Sequence, residues 1–291
     1  MIKSISGTLF SGILMLSATI HISAQTPIKV PTNKHDIKTD LKISEIVDSK
    51  NIHDRLPLII DLRLISYLKT LSSQLEKGIP PEFRYSDFKY TFYIIDFSGI
   101  AVFSIPGGAI YISRGAMIKA RGEGELLGLM AHGMSHIALR HYTAKLPKVE
   151  EIDWMLLELG ILNTFVEGKP GYIDYRGLKS RSAPYKIKFN DDIERQADIL
   201  AAQILARANH DPHALGNVYL HIKSRSDVGY CPSDLDPHER KQMLYREARQ
   251  LQAAGLYDPR KGYFMSEDFL PMQKFVTELP KRQRGSILFP Q

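Results

Sequence analysis

His132 and His136 stand four residues apart in the apolar run "LLGLMAHGMSHIALRH", Leu126 to His141. An α-helix turns about 100° per residue, so that spacing sets two imidazoles on one face, about 40° apart. It is the spacing by which one helix offers two nitrogen ligands to a metal ion. In a chain with ten histidines such a pair also arises by chance, so it carries little weight alone. A catalytic zinc site needs three protein ligands and an open position for water. A second segment, "ERQAD", offers Glu194 as the third ligand. Asp198 lies one turn further on the same face, a carboxylate that can receive an imidazole N–H. Gly133 follows the first histidine, where the hydrolytic form of this pattern carries a glutamate base.

These residues need two helices and something to hold them together. Leu127, Met130, Met134 and Ile137 make an apolar stripe on the first helix, with the two histidines roughly opposite. Ile193, Ala197, Leu200 and Ile204 do the same for a helix from about Asp192 to Ala208, which Asn209-His210-Asp211-Pro212 stops. Ahead of the histidines the patterning is strand-like: "KYTFYIIDF", Lys89 to Phe97; "IAVFSI", Ile100 to Ile105; then a Pro106-Gly107-Gly108 turn into Ala109–Ser113. A helix is expected from Asp61 to Glu76, with Leu62, Ile65, Leu68 and Leu71 as its buried stripe. Further helices are expected near Trp154–Phe165, His213–Ser224 and Pro237–Ala253, with a long loop up to Lys188.

The chain of 291 residues carries a net charge of +6 and a pI near 9.2. No dense basic stripe interleaved with aromatics is present, which argues against nucleic acid as a partner. Lys3, the apolar run Leu9–Ile20 and the small residues Ser23-Ala24 have the order of a secretory signal peptide, so export to the periplasm or medium is expected. The domain plan is a signal peptide over 1–24, a polar arm over 25–51, one domain over 52–253, and an extension with a basic tail over 254–291. Cys231 is the sole cysteine and forms no intramolecular disulfide, so the fold must rely on its core or a metal.

The run "FSIPGGAIYISRGAMIKARGEGELLGLMAHGMSHIALRH" resembles family forty-eight of the metallopeptidases, which includes BepA, HtpX and the CAAX prenyl endopeptidases, in its secreted or periplasmic branch. "FNDDIERQADILAAQILARANHDPHAL" is similar to that family's third-ligand helix, and "SDLDPHERKQMLYREAR" to its closing segment. The resemblance implies an α+β, mainly helical, gluzincin-like fold with a small sheet over the zinc helix. By position it implies one Zn2+ held by His132, His136 and Glu194, with Asp198 behind them. It also implies that Ala109–Ser113 is the edge strand on which an unfolded or extended polypeptide, or another envelope protein, would pair.

The departures are specific. Gly133 replaces the glutamate that activates the zinc-bound water. Ala101-Val102-Phe103 stands where the family has Asn-Ala-Phe, and Leu235-Asp236-Pro237 displaces a histidine, leaving open whether His238 substitutes. Glu123 and Glu125 lie at least two turns from His132 and are poor substitutes for the base. His141 is expected to pack or to cap the helix, Arg140 to pair with an acid, and Trp154 to be core. Three functions remain in view: a zinc protein of this family with proteolysis lost or strongly impaired, a residually active metalloendopeptidase in envelope protein quality control, and a structural protein that uses neither metal nor groove.

Overall fold

The computed structural model describes residues 25–48, 58–148, 152, 189–222, 228–230, 235–261 and 266–280. The segment expected as a signal peptide, the helix expected near Trp154–Phe165 and its loop, Cys231 and the basic tail lie outside the described residues. Among those described, no helix is long and apolar enough to cross a membrane.

Five strands form one mixed sheet: β1 (Leu58–Ile59), β2 (Thr91–Ile95), β3 (Ile100–Ser104), β4 (Ala109–Ser113) and β5 (Val228–Tyr230), in the order β1-β2-β4-β3-β5. β4 runs parallel to β2 and antiparallel to β3. The strand expected at the edge is therefore central, and all five of its residues are buried. The cause is visible in its sequence. "AIYIS" is apolar at nearly every position, as a strand covered on both faces must be. Ile110 and Ile112 join the main core, and Ala109 and Tyr111 join a second cluster on the opposite face.

The main core lies between the sheet and four helices: α2 (Leu62–Gly78), α4 (Glu123–Ala138), α5 (Asp191–Arg207) and α7 (Pro237–Ala253), with the short α3 (Arg114–Lys119) and α6 (Ala214–Val218) completing it. Of the sixteen residues of α4, only Gly124 and His132 are not buried, so this helix is the axis of the molecule. The stripe expected on α5 is buried in full. On α2 the stripe is rotated. Leu64, Tyr67, Leu68, Leu71 and Leu75 are buried, while Leu62 is 83% and Ile65 43% exposed. Asp61 caps that helix through the N–H groups of Arg63 and Leu64, which fixes its first turn and thereby its facing.

Two elements lie where the sequence pattern suggested none. The segment read as a polar arm contains α1 (Ile37–Asp48), whose Ile43 and Val47 are fully buried against the outer face of the sheet. Its polar composition hid a two-residue anchor. In the C-terminal extension, α8 (Phe269–Glu278) buries Phe269 and Val276 in the main core. Gln273 Nε2 donates to the carbonyls of Met117 and Ala120. Arg114 pairs with Asp96 at 3.3 Å and donates to the carbonyls of Thr277, Leu279 and Pro280. The Arg-Gly after β4 thus ties the sheet to the C-terminal helix.

The three long helices around the site end alike. In each, a residue in the left-handed region closes the last turn: Arg140 at φ 53°, Asn209 at φ 62° and Gly255 at φ 74°. The next N–H then reaches back five residues, from His141 to His136 O, His210 to Leu205 O and Leu256 to Leu251 O. This is the Schellman closure, which satisfies the helix's last carbonyls and folds the following side chain back onto the helix. It buries His210, whose imidazole is pushed down to about 4, chiefly by burial and against the pull of Glu123. An imidazole with a folded pKa below its unfolded value of about 6.5 stabilises fully above that pH. The contribution is lost as pH falls from about 6.5 toward 4, because the unfolded chain takes the proton first. His210→Asn should therefore flatten the fall in Tm between pH 7 and 4.5 relative to the parent protein. An unchanged slope would mean that His210 is not one of the groups responsible.

Candidate metal centre

Each side chain of the centre arrives by a separate structural device. His132 and His136 project from α4 one turn apart, with Nε2 atoms 3.2 Å from each other. Glu194 enters in the first turn of α5, whose start is set by Asn190 accepting from Ile193 N. Its Oε2 lies 3.6 Å from His132 Nε2, and its Oε1 3.6 Å from His136 Nε2. A tetrahedral zinc with bonds of about 2.0–2.1 Å sets its ligand atoms roughly 3.3 Å apart. The histidine pair stands close to that spacing, and each carboxylate oxygen stands slightly beyond it from one histidine. These residues form a group that could hold a metal ion. Glu194 Oε1 is also buried with no hydrogen-bond partner among the described residues, a lone pair turned toward the cluster. A buried carboxylate oxygen with no donor is costly, and a cation bound between the three groups would satisfy it.

Behind the cluster each histidine meets a partner at its other nitrogen. His132 Nδ1 lies 3.0 Å from Asp198 Oδ1, close but not aligned as a hydrogen bond. His136 Nδ1 lies 3.0 Å from His141 Nδ1, and His141 Nε2 lies 3.2 Å from Gln196 Oε1. Phe189, just before the α5 cap, stacks on the His136 ring at 4.7 Å and 12°. Burial pushes His136 well below its ordinary pKa, helped by His132, His141 and Arg240, so it stands neutral with a lone pair free. Burial likewise takes His141 down to about 3.

Arg240, one turn into α7, was not singled out by the sequence. It sits in the charged run "PHERKQ", where composition marks a solvated face. In the structure it is 2% exposed. It donates from Nε and Nη2 to both oxygens of Asp198, at 2.8 and 2.7 Å, and from Nη2 to Glu194 Oε2 at 3.2 Å. Tyr219 lies under its guanidinium at 4.6 Å and donates to Asp198 at 3.4 Å. Burial would raise the Asp198 carboxyl, but Arg240 and His132 outweigh it and hold it below the usual range. His238 lies on the exposed face of the same helix, its Nε2 2.8 Å from Gln242 Nε2, and is not part of the cluster.

The remaining acids nearby are committed elsewhere. Glu123 accepts from Tyr67 Oη at 2.7 Å and from Ser266 N at 2.9 Å. Glu125 accepts from Arg121 N and contacts His221 Nε2, both at 2.9 Å. Arg140 pairs with an acid as expected, Asp40 of α1, and also donates to the carbonyls of His35 and Asp36.

Removing Arg240 strands two buried carboxylates, and a buried pair broken from one side typically costs about 3–5 kcal/mol. Arg240→Leu should lower the urea midpoint of the metal-free protein by a corresponding amount. A midpoint within error of the parent would show that the network does not contribute to folding.

Residues 68–266, well over half of the chain, match Peptidase family M48. The chain is 24% identical over 239 residues to the beta-barrel assembly-enhancing protease of Yersinia pestis, covering 76% of this chain and 48% of that protein. It is 23% identical over 172 residues to the protein of the same name in Escherichia coli K12, 57% of this chain and 34% of the other. A putative beta-barrel assembly-enhancing protease of Vibrio cholerae is 23% identical over 215 residues, 69% and 42% of the two chains. The chain thus spans about half or less of the length of these relatives. The matched region begins inside α2 and runs through all three helices that build the centre, and the chain belongs to Peptidase family M48.

Proposed function

We propose that this chain is an exported zinc-binding protein of the M48 family whose proteolysis is lost or strongly impaired. In this reading His132, His136 and Glu194 hold one zinc ion per chain, and Asp198 orients His132. Zinc bound there would lower the pKa of a water molecule and polarise a carbonyl. What the chain lacks is a positioned base beside it. Such a group is typically worth roughly 10²–10⁴ in rate.

One observation carries the reading. A Cβ built on Gly133 would stand 2.9 Å from both Val102 Cγ1 and Ile110 Cγ2, and 3.3 Å from Ser104 Oγ. Ser104 also donates to Gly133 O at 2.8 Å. The first atom of a base at this position meets two methyls of β-branched side chains, which cannot swing aside without changing rotamer. Val102 occupies the position where the family pattern has alanine, so loss of the large residue on the helix goes with gain of bulk on the strand. The bound partner in this reading is an extended polypeptide. The outer edge of β3 is the candidate platform, since β5 pairs only with Ile100 and Ala101 among the described residues. The signal-like N-terminus and the names of the relatives favour the cell envelope as its place of work. The intact three-ligand cluster favours, as the second reading, a residually active metalloendopeptidase.

The purified protein should bind one equivalent of zinc, lost in His132→Ala, and should leave casein intact. Gly133→Glu alone should remain inactive because its side chain collides with the sheet. Gly133→Glu combined with Val102→Ala is the variant expected to gain cleavage. Casein cleavage by the parent protein that disappears in His136→Ala would sink the inactive reading. Absence of stoichiometric zinc would favour a purely structural role.

A further inference from the structure

We infer that His141 and Gln196 set the tautomer of His136, and are positioning residues for the metal centre. The inference deepens the zinc reading above and rests on it for its consequence, though not for its geometry.

The contact follows from how α4 ends. With Arg140 in the left-handed conformation, the N–H of His141 bonds to His136 O at 3.0 Å and that of Arg140 to Ile137 O at 2.9 Å. Closure of this type brings the residue two beyond the cap against the third residue from the helix end. Those two residues are His141 and His136. A non-glycine residue is strained in the left-handed region, and Arg140 is held there by Asp40 and by the two α1-side carbonyls it binds. His141 is 0% exposed. Phe189 covers one face of the His136 ring, and the two imidazoles meet nearly edge to face, at 72°.

Two Nδ1 atoms 3.0 Å apart admit one proton between them. Metal ligation at His136 Nε2 needs that atom's lone pair, so the proton must sit on His136 Nδ1 and be donated to His141 Nδ1. His141 then carries its own proton at Nε2, which faces Gln196 Oε1, an acceptor, at 3.2 Å. The contact between the two Nδ1 atoms and the contact of His141 Nε2 with Gln196 Oε1 are both satisfied in this direction. In the reverse direction His141 Nε2 would turn a lone pair on Gln196 Oε1, and His136 Nε2 would carry a proton where metal ligation needs a lone pair. On the other ligand, Asp198 Oδ1 stands 3.0 Å from His132 Nδ1. The two ligands therefore have different partners, one charged and one neutral, and the neutral chain ends on α5 at Gln196, two residues before Asp198.

Ring nitrogen-15 NMR of the metal-free protein reads the tautomer directly. His136 is expected as the Nδ1–H form in the parent protein, and as the Nε2–H form or a mixture in His141→Phe, which keeps the ring's bulk and removes the acceptor. Zinc affinity, measured by chelator competition, should fall about 10–100-fold in His141→Phe with the stoichiometry unchanged. His141→Asn, whose side-chain oxygen can stand where Nδ1 stood, should recover most of it. Gln196→Glu, an acceptor only, should retain parental affinity. Thermal unfolding of each metal-free variant checks that the fold is kept. An Nε2–H tautomer on His136 in the parent protein would overturn the inference, as would parental zinc affinity in His141→Phe. If the parent protein binds no zinc, the functional reading fails, and the tautomer measurement still decides this one.

Discussion

Three buried charges on two helices hold the centre of this molecule together. Asp198 and Glu194 descend from α5, and Arg240 reaches them from α7 with its guanidinium almost wholly removed from water. None of the three can be buried alone without a large desolvation penalty, so each fixes where the other two must be. The bidentate grip on Asp198 orients the carboxylate toward His132, and the single bond to Glu194 leaves its other oxygen turned toward the histidines. The placing of the candidate ligands is thus helped from behind by Asp198 and Arg240, which are not among them.

Helix ends supply the rest of the positioning. Asn190 starts α5 so that Glu194 falls in its first turn, close to the positive end of the helix dipole. The left-handed Arg140 ends α4 so that His141 returns to His136. Because Arg140 is anchored to α1, a helix on the far face of the sheet is linked to the ring orientation of a candidate ligand through one ion pair and one turn. Around these polar contacts lies an apolar frame with α4 at its axis, which keeps the few polar contacts dry and rigid.

Gly133 shows how the loss of one side chain is absorbed. A glycine in a helix interior ordinarily costs about 1 kcal/mol relative to alanine. Here the absent side chain lets Val102 and Ile110 close onto the helix, and lets Ser104 bond to the glycine carbonyl. The close approach of sheet and helix offsets part of what the backbone loses. It also means that the position is no longer a simple vacancy.

The strand and helix periods were legible along most of the chain because each period follows from one residue's relation to its near neighbours. Ala109–Ser113 and Pro237–Ala253 could be delimited from residue pattern alone, whereas His132, His136 and Glu194 became a set only through the family resemblance. Where two elements compete for the same face, local pattern is insufficient. It put the exposed Leu62 and Ile65 on the buried stripe of α2 and passed over α1, whose apolar anchor is Ile43 and Val47, while the family resemblance made the central β4 an edge. Arg240, and the contact of His141 with His136, were invisible for the same reason. A buried arginine looks like a surface arginine until its two carboxylates are brought to it, and a histidine after a helix reveals its partner only when the chain turns left-handed. The sequence by itself determined which groups are present and which is missing, because residue type and helical spacing decide what chemistry a face can offer. Only the tertiary structure decided which nitrogen faces the centre, that Arg240 grips the carboxylates from behind, and that the gap at Gly133 is filled, because those depend on contacts between residues far apart in the chain.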